Sequence, residues 1–242
     1  MKQGIFSVKS LERLTNDVYK LVLSGDTSEI RAAGQFINIK IDGLFLRRPI
    51  SVCDYNDRTV TVIFKVVGKG TEILSKAAEN AEFDILTGLG NGYSLENAGD
   101  RPLLVGGGVG VPPLYNLCKK LLEKRYRPQV VLGFNQKSEV FLEDEFKALG
   151  VPVTVTTVLG DYGQKGFVTD ALPKDYTYFY TCGPEPMLKA VYHSTNTSGE
   201  LSFEERMGCG FGACMGCSCK TKYGSFRICK QGPVLLKEAV LW

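Results

Sequence analysis

The chain has 242 residues, 44% of them hydrophobic and 23% charged, with a formal net charge of +3, the composition of an ordinary globular protein large enough for two modest domains and a small appendage. A basic balance this mild, with no Lys/Arg cluster interleaved with aromatics, argues against a nucleic-acid partner, and no apolar run reaches the ~18 residues that a membrane span requires. Eight cysteines behind an N-terminus (MKQGIFSVKS) that carries no apolar signal core point to a reducing, cytoplasmic setting in which thiols ligate metal.

The first hundred residues read as short strands. Ile5–Val8, Val18–Leu23, Gln35–Lys40 and Thr59–Val67 are rich in β-formers and partly alternating, with Gly and Asp between them as turns require. Strands at this spacing predict an antiparallel barrel or sandwich over residues 1–98, with one helix over Thr71–Ala81. Two segments stand out. Arg47-Arg48-Pro49-Ile50-Ser51 offers a guanidinium fork for a phosphate and a small hydroxyl, although paired arginines at the start of a strand are often just solvated. Gly68-Lys69-Gly70-Thr71 before the helix is a second candidate phosphate cradle.

The pattern changes at Gly99-Asp100-Arg101-Pro102. The apolar strand Leu103–Val105 runs into Gly106-Gly107-Gly108-Val109-Gly110, and a helix follows with Leu114, Leu117, Cys118, Leu121 and Leu122 on one face and Pro112 and Pro113 in its first turn. Strand Val130–Gly133, helix Glu143–Leu149, strand Val153–Val158, strand Tyr178–Thr181 and a helix from Pro186 continue the alternation, which predicts a doubly wound parallel sheet over residues 99–198. The glycine-rich turn suits a pyrophosphate, but it does not match G-x-G-x-x-G, because Val111 takes the third glycine position; a tight turn with glycines for packing is the plainer alternative. Cys182-Gly183-Pro184 ends a strand at the sheet edge where such folds bind ligands, though a buried cysteine is often only core. Asn135-Gln136-Lys137, after the second strand, shows neither a clear ribose acid nor an arginine cluster. His193 lies in a polar stretch and reads as surface; as the only histidine it excludes a multi-histidine metal site.

After a polar linker at 194–199, residues 199–242 carry Cys209, Cys214, Cys217 and Cys229. The first three follow C-x4-C-x2-C, the ligand order of a plant-type [2Fe–2S] cluster, in which each of two irons takes two thiolates. Gly208, Gly210, Gly212 and Gly216 let the backbone wrap closely and aim N–H groups at sulfur. Structural zinc is the main competitor, although zinc ribbons usually show two C-x2-C pairs and one is present here. Cys219 is a fifth candidate that breaks the count, to be read as a spare, as buried or as lying near the cluster.

Taken in order, R-P-x-S, G-x-G-T, GGG-x-G, CGP and the C-terminal cysteines resemble the ferredoxin–NADP reductase superfamily, and within it the branch of electron-transfer subunits of type B dihydroorotate dehydrogenase, over essentially the whole chain. The tail CKQGPVL from Cys229 also looks like that branch. The resemblance implies a three-part chain: an FAD-binding barrel, an NAD-binding α/β domain and a small [2Fe–2S] domain. It implies FAD contacts from Arg48 (pyrophosphate), Pro49, Ile50, Ser51 (isoalloxazine), Ile63, Phe64, Lys65, Gly70 and Thr71, with Ile50 standing where many relatives carry Tyr. It implies NAD contacts from Gly107, Gly108, Gly110, Cys182 and Gly183, and no general acid or base in this chain. The implied partner is an FMN-containing catalytic subunit in a heterotetramer of two copies each, oxidising dihydroorotate in pyrimidine biosynthesis. Other flavin/iron–sulfur subunits of the superfamily (sulfite reductase, hydrogenase or ferredoxin-linked transhydrogenase types) and a zinc-stabilised interaction module are the alternatives. Phe211 and Met215, within the cysteine loop, are expected to be exposed and to touch the partner.

Overall fold

The computed structural model describes residues 1–242. Six antiparallel strands close a barrel: β1 (Lys2–Arg13), β2 (Val18–Ser24), β3 (Phe36–Ile39), β4 (Arg48–Tyr55), β5 (Thr59–Lys65) and β6 (Glu82–Leu89), in the order β1-β2-β5-β4-β3-β6. Alternation fills it. Leu21, Leu23, Ile37, Ile39, Val52, Val60, Val62, Phe64 and Ile85 are buried together inside, and the residues between them face outward. Of these strands, β4 and β6 were not expected from the sequence; Arg48–Ser51 had stood out only as a motif. The expected helix over Thr71–Ala81 is a single short one, α1 (Lys69–Leu74). It ends at Ser75, whose hydroxyl donates to the Glu72 carbonyl, one of the local bonds by which serine competes with helix continuation.

The second sheet has seven strands. From β7 (Pro102–Gly107) the chain passes through α2 (Pro112–Glu123), β8 (Gln129–Phe134), α3 (Glu143–Ala148), β9 (Val153–Thr157), β10 (Gln164–Lys165), β11 (Tyr178–Cys182), α4 (Glu185–Ser194) and β12 (Gly199–Ser202). Strands β10, β9, β8, β7, β11 and β12 are parallel neighbours in that order. The apolar stripe of α2 is buried as the periodicity predicts, with Leu122 partly exposed.

The C-terminal segment contributes β13 (Ser218–Thr221), β14 (Gly224–Arg227), α5 (Ile228–Gln231) and β15 (Val234–Leu236). Here the architecture differs from the expected division at residue 199. The expected linker at 194–199 runs from the end of α4 to the first residue of β12, which pairs in parallel with β11, and β15 pairs antiparallel with β12. The cysteine loop is therefore an excursion between two edge strands of the α/β sheet. One apolar cluster joins Phe36, Leu86 and Leu89 of the barrel, Val105 and Phe179 of the sheet, and Cys217, Ile228 and Cys229 of the loop segment. Across the barrel–sheet junction, Asp54 on β4 accepts from Asn116 Nδ2 (2.9 Å) and from Lys119 Nζ (2.7 Å) on α2.

Candidate redox site

The outward face of the barrel and the carboxyl ends of the parallel strands meet in a cleft of about 470 Å³. Pro49, Ile50 and Ser51 of β4, Ile63, Phe64 and Lys65 of β5, and Thr71 line one wall; Gly107, Gly108, Gly110, Cys182 and Gly183 line the other. Residues expected from the sequence as two separate nucleotide sites thus face one another. Arg48 lies at the margin. Its guanidinium sits over Gly70, where a Cβ would overlap Nε, and it bonds only to the carbonyls of Leu46 and Arg47, without a carboxylate partner. A guanidinium without a counter-ion beside a glycine cradle fits an anionic phosphate. Thr71 lines the cleft, and its hydroxyl accepts from the Val67 and Gly68 N–H groups (2.9 and 3.2 Å) and donates to the Gly68 carbonyl (3.0 Å). That hydroxyl shapes the loop before α1.

The three loop glycines also separate. A Cβ at Gly110 would overlap the Cys182 carbonyl, and one at Gly107 would overlap Met187, so both permit close packing of the turn on the end of β11. Gly108, at φ +51° with open space before it, is the one that a ligand can approach. The Cys182 thiol is pushed up to about 12 by burial and is neutral.

A second cavity of about 540 Å³ continues from Gly107 and Gly108 along the ends of β8 and β9, past Phe134, Asn135, Glu139, Thr156, Phe167 and Met187. No lysine or arginine lines it. Glu139 carries the cavity's carboxylate and accepts from Asn135 Nδ2 at 2.9 Å. It lies just beyond Asn135-Gln136-Lys137, and only the 3-10 turn at Lys137–Glu139 folds it back to the strand end, which the sequence does not show. Lys137 is turned away, its N–H on the Asp161 carboxylate and its ammonium over the Tyr162 ring.

The four expected ligands fall into two pairs. The Cys209 sulfur accepts from the N–H groups of Ala213 (3.2 Å) and Cys214 (3.4 Å), and the Cys214 sulfur from that of Cys209 (3.4 Å). The Cys217 sulfur accepts from the Cys229 N–H at 3.4 Å. Two pairs of thiols suit two irons that take two thiolates each. Partial burial opposes ionisation of Cys209, but the N–H groups of Phe211, Cys214 and Ala213 outweigh it and draw the thiol down to about 6. Left-handed backbone at Gly210, Gly212 and Met215 wraps the loop. Cys214 is exposed while Cys217 and Cys229 are buried. Phe211 and Met215 are 44% and 54% exposed. Cys219 stands on β13 opposite Phe226 of β14, partly buried against the apolar cluster that contains Cys217 and Cys229. His193 is exposed.

Residues 204–241 match the family described as the iron–sulfur cluster binding domain of dihydroorotate dehydrogenase B, and residues 104–193 match the oxidoreductase NAD-binding domain. Over 99% of both chains the sequence is 41% identical to the dihydroorotate dehydrogenase B (NAD(+)) electron transfer subunit of Fusobacterium nucleatum, and it is 40% identical to that of Bacillus pumilus over 99% of this chain and 98% of the other. Among solved structures, an NADH-dependent reduced ferredoxin-NADP oxidoreductase, described in connection with flavin-based electron bifurcation, superposes with a TM-score of 0.90 at 29% identity, covering 99% of this chain and 90% of that one.

Proposed function

The chain belongs to the family of electron transfer subunits of dihydroorotate dehydrogenase B, and we propose that it carries electrons between the FMN of a catalytic partner subunit and NAD, in a heterotetramer of two copies each. It is an oxidoreductase subunit that works with FAD, a [2Fe–2S] cluster and NAD(H) in NAD-linked dihydroorotate oxidation, a step of pyrimidine biosynthesis. No helix is long and apolar enough to cross a membrane. The observation that carries the reading is the junction itself: the barrel motif and the glycine-rich turn share one cleft, and the paired cysteines are packed against the same barrel.

The residues divide the work. Arg48, over Gly70, is the anchor for the FAD pyrophosphate; Pro49, Ile50, Ser51, Ile63, Phe64 and Lys65 form the wall for its ring system. Gly108 offers backbone N–H to the dinucleotide, with Gly107 and Gly110 holding the turn against Cys182 and Gly183. A neutral Cys182 thiol contributes bulk and a weak donor, adding no charge beside a positively charged nicotinamide. Phe36, Phe134, Phe141 and Phe203 shield the cleft from water. Cys209 with Cys214, and Cys217 with Cys229, hold one iron each. When bound, the cluster supplies one-electron chemistry, FAD couples one- to two-electron chemistry, and NAD takes a hydride. The two functional divisions ahead of the cysteine segment are residues 1–98 and 99–198; residues 199–242 bear the cluster while lending β12 and β15 to the sheet.

The exposed Phe211 and Met215 are the contacts for the catalytic subunit. The test is reconstitution: mixed with a dihydroorotate dehydrogenase catalytic subunit, the protein forms a complex that oxidises dihydroorotate with NAD, and Phe211→Asp weakens that complex while NADH still reduces FAD. The fold likeness to the NADH-dependent ferredoxin-NADP oxidoreductase supports a second reading, a ferredoxin-linked subunit. That reading gains if a ferredoxin, and not dihydroorotate with the catalytic subunit, exchanges electrons with the NADH-reduced protein.

A further inference from the structure

We propose that Asn38 is a positioning residue for electron transfer: it fixes the cysteine loop against the barrel strand that walls the flavin cleft, and so sets the separation across which electrons pass. The inference rests on the assignment of cluster and flavin given above.

Asn38 is 1% exposed and lies on β3 between Ile37 and Ile39, which point into the barrel. Strand alternation therefore puts Asn38 on the outward face with Phe36. Phe36 lines the cleft, and so does Pro49, the residue directly opposite Asn38 on β4. The outer face of the strand thus runs from the flavin wall to Asn38 within two residues. There its Nδ2 donates to the carbonyl of Cys209 at 3.2 Å. This is the one hydrogen bond from the barrel to the ligand loop, residues 208–217. The next residue, Gly210, is left-handed at φ +78°, and a Cβ there would overlap Asn38 Nδ2, so the loop lies directly on the amide.

An amide in this place is costly. Burying it without full hydrogen bonding is unfavourable, its Oδ1 is buried with no partner, and its neighbours across the sheet and along the strand are Leu86 and Phe36. The strand is also braced beneath it. Arg47 Nη1 donates to the Asn38 carbonyl (3.4 Å) and the Asp84 carbonyl (2.8 Å), and Nη2 donates to the Asp84 carboxylate (2.9 Å), which also accepts from Gln3. Gln3, Asp84, Arg47 and Asn38 thus tie β1, β6, the start of β4 and β3 to one ligand-bearing peptide. A merely solvated arginine, one reading of the Arg47-Arg48 pair, does not have this set of partners.

The test uses full-length protein with its cofactors, as wild type, Asn38→Leu and Asn38→Asp. Leu removes both polar groups; Asp keeps the shape and turns the donor into an acceptor facing a carbonyl. The expected result is unchanged iron and flavin content, an unchanged rate of FAD reduction by NADH, and flavin-to-cluster transfer, read by stopped-flow bleaching of the cluster bands, slowed severalfold. The paramagnetic signal of the reduced cluster should change line shape, which a general loss of stability does not cause. Should the Asn38 variants fail to fold, Arg47→Gln, which leaves Asn38 in place and removes its brace, should slow the same step alone. Wild-type bleaching rates with an unaltered signal in any folded variant overturn the inference. Wild-type protein lacking iron or flavin overturns the cofactor assignment beneath it, a different and separately visible failure.

Discussion

Replacing Glu200 by Gln should stabilise the protein in a strongly pH-dependent way. Glu200 is 4% exposed on β12. One carboxylate oxygen accepts from the Ser94 N–H at 3.0 Å, tying the sheet edge to the segment that leaves the barrel. The Tyr178 hydroxyl, otherwise unpartnered, lies beside it. Burial raises the carboxyl from 4.5 to about 7, against the opposing effect of the Ser94 N–H. Below pH 4.5 the group is protonated in both folded and unfolded chains and affects nothing. As pH rises through the unfolded value, the unfolded chain releases its proton while the fold retains it, so stability falls until the folded group ionises too, near pH 7. The whole difference, at ~1.4 kcal/mol per pH unit, is about 3 kcal/mol, most of it developing between pH 5 and pH 8. Glutamine accepts from Ser94 and donates to Tyr178 without titrating. Thermal melts of flavin-loaded wild type and Glu200→Gln should therefore nearly coincide at pH 4. At pH 8 the variant should melt higher by about 5–10 °C for a chain of this size. A constant offset across that range, or a gap that widens toward acid, would refute the reasoning.

The other perturbations act on the cofactor sites. Arg48→Ala should weaken FAD binding by about 1.5–3 kcal/mol, the worth of a charge-assisted contact; fluorescence titration of the apoprotein measures it. Cys214→Ser should abolish the visible absorption of the cluster, whereas Cys219→Ser, altering a thiol that faces Phe226, should retain iron near the wild-type content. Glu139→Gln should narrow the preference for NADH over NADPH by about tenfold in steady-state kcat/KM, because a 2′-phosphate in the second cavity would no longer meet a carboxylate; an unchanged ratio would place the ribose elsewhere.

Much of this arrangement was legible where local chemistry dictates it. The apolar run into the glycine-rich turn, the stripe on α2 and the cysteine spacing each leave a pattern in adjacent residues. What escaped depends on distant pairing. Gly199–Ser202 carries no strand signal because Glu200 and Ser202 are polar and the strand is short; only its ladder with β11 makes it part of the sheet. The run after Thr71 holds alanines that favour a helix, yet the chain stops at Ser75, and Ala77 and Ala81 pack against the barrel core in irregular backbone. The glycine motif could not say which glycine faces a ligand and which packs on a neighbour, since Met187 and the Cys182 carbonyl come from other elements. Asn38 carries no signal in sequence; its role arises from a loop 171 positions away.

The central claim is that one chain joins a two-iron cluster to a flavin reached by nicotinamide. Cofactor analysis of anaerobically purified protein, combined with anaerobic NADH titration followed by optical and paramagnetic spectra, tests it most directly. The expected result is about two irons and about two sulfides per chain, bound FAD, and reduction by NADH of flavin and cluster together. Stoichiometric zinc without iron or flavin, or a cluster that NADH-reduced flavin never reduces, would contradict it.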